Sequence, residues 1–280
     1  MNAIEIRNLS KHYQGFSLEK LNLTLPSGCI MGLVGENGAG KSTTIRMILG
    51  MAKPDSGQIT VFGQGLTPAM TEQLGVVLDE PGYPGCMNAA QIGKMLSGLY
   101  RGWEPVTFED YLNKLHIPEN KPFKDFSKGM KMKLCLSAAL SHGAKLLILD
   151  EATSGLDPVV RDELLDIFND FTRDAGHSVL ISSHIVSDLE KICDYIAFLH
   201  RGRLMLCREK DELLSEYAFV QGSREEIDAL EPIGRRDGRF GTEAIVRRED
   251  VPAGMKISPI TIEELFVFMA KEDANESADL

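Results

Sequence analysis

The segment that decides the fold is residues 30–42, which read IMGLVGENGAGKS. It begins with an apolar run of strand length, and a helical pattern follows at residues 43–49. Three glycines, Gly35, Gly38 and Gly40, connect the two elements. Because glycine has no Cβ, such a loop can turn successive backbone N–H groups toward one anion at the positive end of the helix. This strand, loop and helix therefore predict a phosphate cradle.

Two side chains after the last glycine complete the predicted cradle. Lys41 can place its ammonium group on the β- and γ-phosphates of a nucleotide, and the Ser42 hydroxyl can bind Mg²⁺. An incidental lysine in a glycine-rich turn is the alternative, which the flanking strand and helix disfavour. The predicted nucleotide-binding residues of the segment are Gly35, Glu36, Asn37, Gly38, Ala39, Gly40, Lys41, Ser42 and Thr43.

Composition limits the class of protein. The 280-residue chain is 43% hydrophobic, which is enough for a sizeable core in one large or two modest domains. We expect a soluble intracellular protein, because no apolar run reaches the roughly 20 residues of a membrane span and the N-terminus does not resemble a signal peptide. The net charge of −11 argues against a nucleic-acid groove. Five scattered cysteines without a C-x-x-C pair predict neither a disulfide framework nor a zinc site.

The segments on either side of the cradle predict strands. Residues 1–29 alternate apolar and polar residues, which indicates a small antiparallel sheet at the edge of the fold. Tyr13 falls in the predicted connection within this sheet, where its ring can stack on a purine, although packing is the commoner role of such a tyrosine. Further strands are predicted at residues 59–62 and 75–78, the second of them ending at Asp79.

A helical insertion is predicted in the middle of the chain, where residues 88–141 show no strand pattern. The first helix carries the apolar residues within 92–99, and the second is expected to open with a capping box of Thr107 and Asp110. The third is expected to span Lys128–Leu140.

Acidic and basic side chains follow two further predicted strands. Residues 146–149 read LLIL, as expected for a strand buried on both faces, and Asp150 and Glu151 end it. Ligands of open α/β sheets bind at the carboxyl ends of such strands. Asp150 can hold Mg²⁺, and Glu151, pointing the other way, can deprotonate a water that attacks the γ-phosphate. His184, just after a strand predicted at residues 179–182, can hydrogen-bond the same phosphate.

Taken together and in order, the phosphate loop, LLILDE, SGLDP and SSH resemble the ATPase subunits of ATP-binding cassette (ABC) transporters over about residues 2–208. The resemblance implies an α/β P-loop NTPase fold: a RecA-like core with an antiparallel β subdomain and a helical subdomain. It also implies roles for single residues. Tyr13 would stack on adenine, Asp157 would be the aspartate of a dimer interface, and His184 would be the switch at the γ-phosphate.

Three positions depart from the pattern of that family. The signature is the segment FSKGM at residues 126–130, in which Ser127 and Gly129 match the residues that cap the ATP of a second subunit. Lys128 and Met130 replace a glycine and a glutamine of the usual signature. Asp79 stands where the family usually has a glutamine that contacts Mg²⁺ and the attacking water, and we predict that Asp79 keeps the contact with the metal ion.

The implied architecture is one cassette at residues 1–208, with its helical subdomain at about residues 86–145. A small C-terminal α+β extension would follow at residues 209–280. Its final helix is predicted to begin with a capping box at Thr261, and its acidic tail is expected to fray after Lys271.

The resemblance implies an ATP-hydrolysing subunit that works as a head-to-tail homo- or heterodimer and powers a separate integral membrane permease. The expected transporter exports drugs, antibiotics or peptides, and the chain would be cytoplasmic, attached to the inner face of the membrane through the permease. A soluble nucleotide-dependent regulator with little hydrolysis stays open as the alternative. The predicted catalytic residues are Glu151, His184 and Lys41, and the predicted Mg²⁺ ligands are Ser42, Asp79 and Asp150.

Overall fold

The structure, a computed structural model, describes residues 1–80, 82–238 and 241–276, with side chains as far as Lys271. The strands in chain order are β1 (Asn2–Tyr13), β2 (Phe16–Pro26), β3 (Ile30–Val34), β4 (Ser56–Val61), β5 (Leu74–Val77), β6 (Leu146–Asp150), β7 (Ser178–Ser183), β8 (Tyr195–His200), β9 (Arg203–Glu209), β10 (Tyr217–Gly222), β11 (Gly234–Gly238), β12 (Gly241–Arg247) and β13 (Ile257–Ser258). The α-helices are α1 (Lys41–Ile48), α2 (Pro68–Thr71), α3 (Ala89–Ser97), α4 (Pro105–Lys114), α5 (Lys128–Leu140), α6 (Pro158–Phe171), α7 (Val186–Ile192), α8 (Lys210–Glu216), α9 (Arg224–Asp228) and α10 (Ile262–Glu276).

The central sheet has the strand order β5-β6-β7-β3-β8-β9, parallel except for β9. Every residue of β3, β6 and β7 is buried, because other elements cover both faces, as their apolar sequences predict. Val34 of β3 pairs with Ser183 of β7, and Asp150 of β6 pairs with Ser182. The carboxyl ends of these three strands therefore meet at one edge of the sheet.

An antiparallel sheet of order β2-β1-β4 covers one face of the central sheet, which confirms the predicted edge sheet and adds β4 to it. Its inward residues, such as Ile4 and Leu21, belong to the same buried cluster as Met31 and Ile148 of the central strands. Tyr13 is the last residue of β1 rather than part of the connection.

The predicted helical insertion lies between β5 and β6 and contains α3, α4 and α5. Helix α5 has the predicted bounds, whereas the capping box of Thr107 and Asp110 is wrong. Helix α4 begins at Pro105, which is already constrained to a helical φ, so Thr107 lies in the first turn and donates a hydrogen bond to Oε2 of Glu104 at 2.7 Å. Leu99 lies beyond the end of α3 and is 67% exposed.

The C-terminal segment forms a sheet of order β11-β12-β10-β13 together with α10. The predicted cap of the last helix is confirmed: Thr261 Oγ1 accepts from the N–H of Glu264 at 3.2 Å, and the Thr261 N–H donates to Oε2 of Glu264 at 2.9 Å. Helix α10 packs on the central sheet, with the rings of Phe266 and Phe198 of β8 at 5.2 Å between centroids. The chain is helical to Glu276, beyond the predicted start of fraying, and the tail at residues 277–280 lies outside the described part.

No helix in the described ranges combines the length and the apolar character that crossing a membrane requires.

Candidate nucleotide-binding and hydrolysis site

The phosphate loop connects the buried strand β3 to α1, as predicted, although α1 begins at Lys41 rather than at residue 43. Gly35 is needed for close packing, because a Cβ there would lie 2.4 Å from the carbonyl oxygen of Leu199. Gly40 is the N-cap of α1 and has φ of 111°, a conformation that other residues rarely adopt. The loop thus lies at the N-terminus of α1, and this end of a helix attracts anions.

Lys41 is fixed above the loop and is only 5% exposed. Its ammonium nitrogen donates to the carbonyl oxygens of Gly35 at 2.7 Å and Glu36 at 3.3 Å, and it lies 3.3 Å from Oε1 of Glu151. The cation is therefore held between the phosphate loop and the end of β6. A buried charge is stable only with such partners.

Asp150 is bound by two hydroxyl groups. Ser42 Oγ donates to its Oδ1 at 3.2 Å, and Ser182 Oγ donates to the same oxygen at 2.6 Å. Adjacent hydroxyl and carboxylate oxygens suit Mg²⁺, which commonly uses one or two carboxylates together with phosphate and water oxygens. Within the described residues no three His, Cys, Asp or Glu side chains form a metal-binding group.

Glu151 has a strained backbone and two charged or titratable partners. Its φ is 53°, uncommon for a residue with a side chain, and its N–H donates to Ser182 Oγ at 3.2 Å. Oε2 lies 2.7 Å from Nδ1 of His184, while Oε1 faces Lys41. The turn directs the carboxylate into the space between the phosphate loop and the end of β7.

A pocket of about 360 Å³ lies over the loop and is lined by Phe16, Glu36, Asn37, Gly38, Gly40, Lys41, Ser42, Thr43 and Glu151. Phe16 is a lining residue that sequence reasoning missed. It pairs across the β1–β2 hairpin with Tyr13, whose ring is exposed, so the predicted adenine-stacking residue sits next to the pocket.

The strand end that carries Tyr13 is held by Asp55. Its carboxylate accepts hydrogen bonds from Lys11 Nζ and from the His12 N–H, both at 2.8 Å. The hydrogen bond from Lys11 is the main reason that the pKa of Asp55 falls to about 2, and the His12 N–H adds to it. Lys11 Nζ also lies 5.4 Å from the centroid of the Tyr13 ring. Asp55 belongs to a turn before β4, so no local pattern pointed to it.

The predicted interface residues lie at the starts of two helices, outside the network around Lys41. Ser127 Oγ accepts from the N–H of Met130 at 3.2 Å and caps α5. Asp157 Oδ1 accepts from the N–H of Val160 at 3.0 Å and caps α6. Gly129 faces Val160, since a Cβ there would lie 3.3 Å from its Cγ1.

Asp79, the third predicted metal ligand, forms an ion pair with Lys128 at 2.8 Å. The structure thus brings Lys41, Ser42, Asp150, Glu151 and His184 into one network, while the Asp79 carboxylate is bound by the signature lysine.

The fold and this network define a P-loop nucleoside triphosphate hydrolase: a glycine-rich loop before a helix, a serine and an aspartate side by side, and a glutamate directly after β6. Residues 18–154 match the protein family described as ABC transporter. The chain belongs to this family and is an ATP-binding subunit of the ATP-hydrolysing, transport-coupled kind.

Similarity to known proteins extends beyond the phosphate loop. An uncharacterised ABC transporter ATP-binding protein of Bacillus subtilis, YhcH, is 31% identical over 96% of this chain and 91% of its own length. The bacitracin transport ATP-binding protein BcrA of Enterococcus faecalis is 35% identical over 72% of this chain and 68% of its own length. A solved ATP-binding subunit of an ABC transporter, 29% identical, superposes with a TM-score of 0.67 over 75% of this chain and 91% of that chain.

Ser182 was not predicted as a site residue, and its role can be tested. Ser182→Ala removes the hydroxyl that binds both Asp150 and the Glu151 N–H, so we expect ATP hydrolysis to fall about tenfold or more, together with a loss of about 1–3 kcal/mol in the free energy of unfolding. Urea unfolding and a steady-state ATPase assay measure the two effects.

Ser178→Ala is the matched control, because Ser178 lies on the same strand, is fully buried and accepts from the Gly28 N–H at 3.0 Å, but at the opposite end of β7. We expect it to lower stability by a similar amount without changing turnover per folded molecule. Equal losses of activity in the two variants would contradict a role for Ser182 in the site.

Proposed function

We propose that the chain is the ATP-hydrolysing subunit of an exporter of drugs, antibiotics or peptides, bound to a separate membrane permease. The observation that carries the hydrolytic part is the placement of Glu151 between Lys41 and His184 next to the phosphate loop. The export part is supported by the 35% identity to a protein named for bacitracin transport. This arrangement of Glu151 argues against the alternative of a regulator with little hydrolysis.

In the proposed mechanism the loop N–H groups and Lys41 bind the β- and γ-phosphates. Ser42 and Asp150 would hold Mg²⁺, with Asp79 as a further candidate ligand; when bound, the ion would neutralise charge on the phosphates. Glu151 takes the proton from the attacking water.

His184 orients Glu151 through the contact between Nδ1 and Oε2, and its other ring nitrogen would hydrogen-bond the γ-phosphate. Tyr13 stacks on the adenine, next to Phe16.

The proposed working unit is a head-to-tail dimer. Ser127, Gly129 and Asp157 belong to helix starts that take no part in the network of Lys41, so their proposed role at a γ-phosphate requires the nucleotide of a second subunit. Closure over two ATP molecules and reopening after hydrolysis would move the permease. Through the permease, the chain would be attached to the cytoplasmic face of the membrane.

Affinity purification from detergent-solubilised membranes tests the transport part. We expect a tagged chain to bring down an integral membrane protein, and ATPase activity to change when the two are reconstituted together in vesicles. Recovery of the chain without any integral membrane partner, from cells that express its genomic neighbours, would contradict the proposal.

Glu151→Gln tests the general base. Hydrolysis should fall by roughly 100-fold or more, because a positioned base contributes about 10²–10⁴-fold, while ATP still binds. We expect the variant to accumulate as an ATP-bound dimer in size-exclusion chromatography. Turnover at the wild-type rate would remove Glu151 from the mechanism.

Mixing two defective chains tests whether each ATP site is formed by residues of both subunits. A Lys41→Ala chain lacks the phosphate cation, and a Ser127→Arg chain lacks the cap, so their heterodimer keeps one intact site and one doubly damaged site. We expect ATP-dependent dimerisation to recover in the mixture above the level of either parent. A mixture no better than its parents would leave the shared-site dimer without support.

A further inference from the structure

One ion pair joins the loop after β5 to the start of α5. The ammonium group of Lys128 donates a hydrogen bond to Oδ1 of Asp79 at 2.8 Å, across 49 positions of sequence. Both residues are among the departures from the ABC pattern that were named above. The two departures are therefore in direct contact, and each residue provides a charge partner for the other.

Lys128 reaches Asp79 across the turn that follows β6. A Cβ built on Gly155 of this turn would lie 3.7 Å from Nζ and 3.8 Å from Cδ of Lys128, so the lysine side chain runs along the face of the turn. Gly155 has φ of 68°, which disfavours any side chain there. Through Lys128, helix α5 thus contacts the loops that follow the neighbouring strands β5 and β6.

The pair changes the charge next to the phosphate site. Asp79 follows β5, which pairs with the strand that carries Asp150 at its end, and Glu151 comes next. Carboxylates at one sheet edge repel a polyphosphate unless cations neutralise them. The ammonium group of Lys41 lies 3.3 Å from the carboxylate of Glu151. In the same way, the ammonium group of Lys128 neutralises the carboxylate of Asp79.

We propose that Lys128 is a positioning residue that sets, through Asp79, the metal dependence of nucleotide binding. This inference rests on the nucleotide site proposed above. While the pair is closed, Lys128 neutralises Asp79 and occupies its Oδ1. When it opens, the carboxylate repels the phosphates of free ATP and attracts Mg²⁺. The side chains are 43% and 51% exposed, so the pair exchanges readily, and such pairs change an equilibrium by up to about fivefold.

A double-mutant cycle with a binding readout tests the proposal. A fluorescent ATP analogue is titrated in EDTA and in excess Mg²⁺. The dissociation constant in EDTA divided by that in Mg²⁺ is the ratio compared among wild type, Lys128→Gln, Asp79→Asn and the double variant. We expect Lys128→Gln to raise the ratio by about two- to fivefold in the wild-type background. In the Asp79→Asn background the same substitution should leave the ratio unchanged, because the lysine acts through the carboxylate.

Two controls separate this role from net charge and from misfolding. Lys133→Gln removes a cation from the same helix, where Lys133 pairs with Glu163 at 2.5 Å, and it should leave the ratio at the wild-type value. Lys128→Arg keeps the ion pair and should behave like wild type. Circular dichroism and thermal unfolding establish that each variant is folded before it is titrated.

The possible outcomes are distinct. Equal changes on replacing Lys128 in both backgrounds would show that it acts on the phosphates independently of Asp79, and an unchanged ratio in Lys128→Gln would show that the pair has no such role. Either result overturns the proposal. Failure of the wild-type chain to bind the analogue under both conditions would instead refute the nucleotide site itself.

Discussion

The parallel pairing of β7 with β3 on one side and β6 on the other is the constraint on which the site depends. Because Val34 is level with Ser183, and Asp150 with Ser182, the residues that follow these strands emerge at one edge of the sheet. A slip of one residue between two strands would turn every side chain of one of them to the opposite face. Such a slip would be costly, because closely packed side chains on both faces would have to repack and Asp150 would lose its hydrogen bond from Ser182 Oγ.

The same edge contains the least relaxed backbone of the site. Glu151 adopts φ of 53° immediately after a fully buried strand, which costs of order 1–3 kcal/mol and persists only if neighbouring contacts hold it. Ser182 accepts the Glu151 N–H and binds Asp150, so one hydroxyl fixes both carboxylate-bearing residues relative to each other. The strained turn at Glu151 therefore directs two adjacent carboxylates apart: that of Asp150 contacts Ser42, and that of Glu151 contacts His184.

Features that depend on local sequence were predictable, and features that depend on distant partners were not. The apolar strand before Asp150 and the helix Lys128–Leu140 follow from runs and periodicity within one segment, and the structure confirms both. Ser182 bonds to a residue 32 positions away, and a serine in a strand looks the same with or without such a partner. Phe16 and Asp55 likewise acquire their roles from the pairing of β1 with β2 and β4.

The C-terminal segment is connected physically to the phosphate site although it is distant in sequence. Helix α7 begins two residues after His184, and its Leu189 packs against β3 so closely that a Cβ on Gly32 would lie 3.1 Å from it. Helix α10 packs on α7, and its first residue, Ile262, donates its N–H to Glu190 of that helix at 3.2 Å. Because Phe266 continues the buried cluster of the central sheet, removing α10 would expose part of α7 and of that cluster to water. The packing of the extension thus supports the helix that begins two residues after His184.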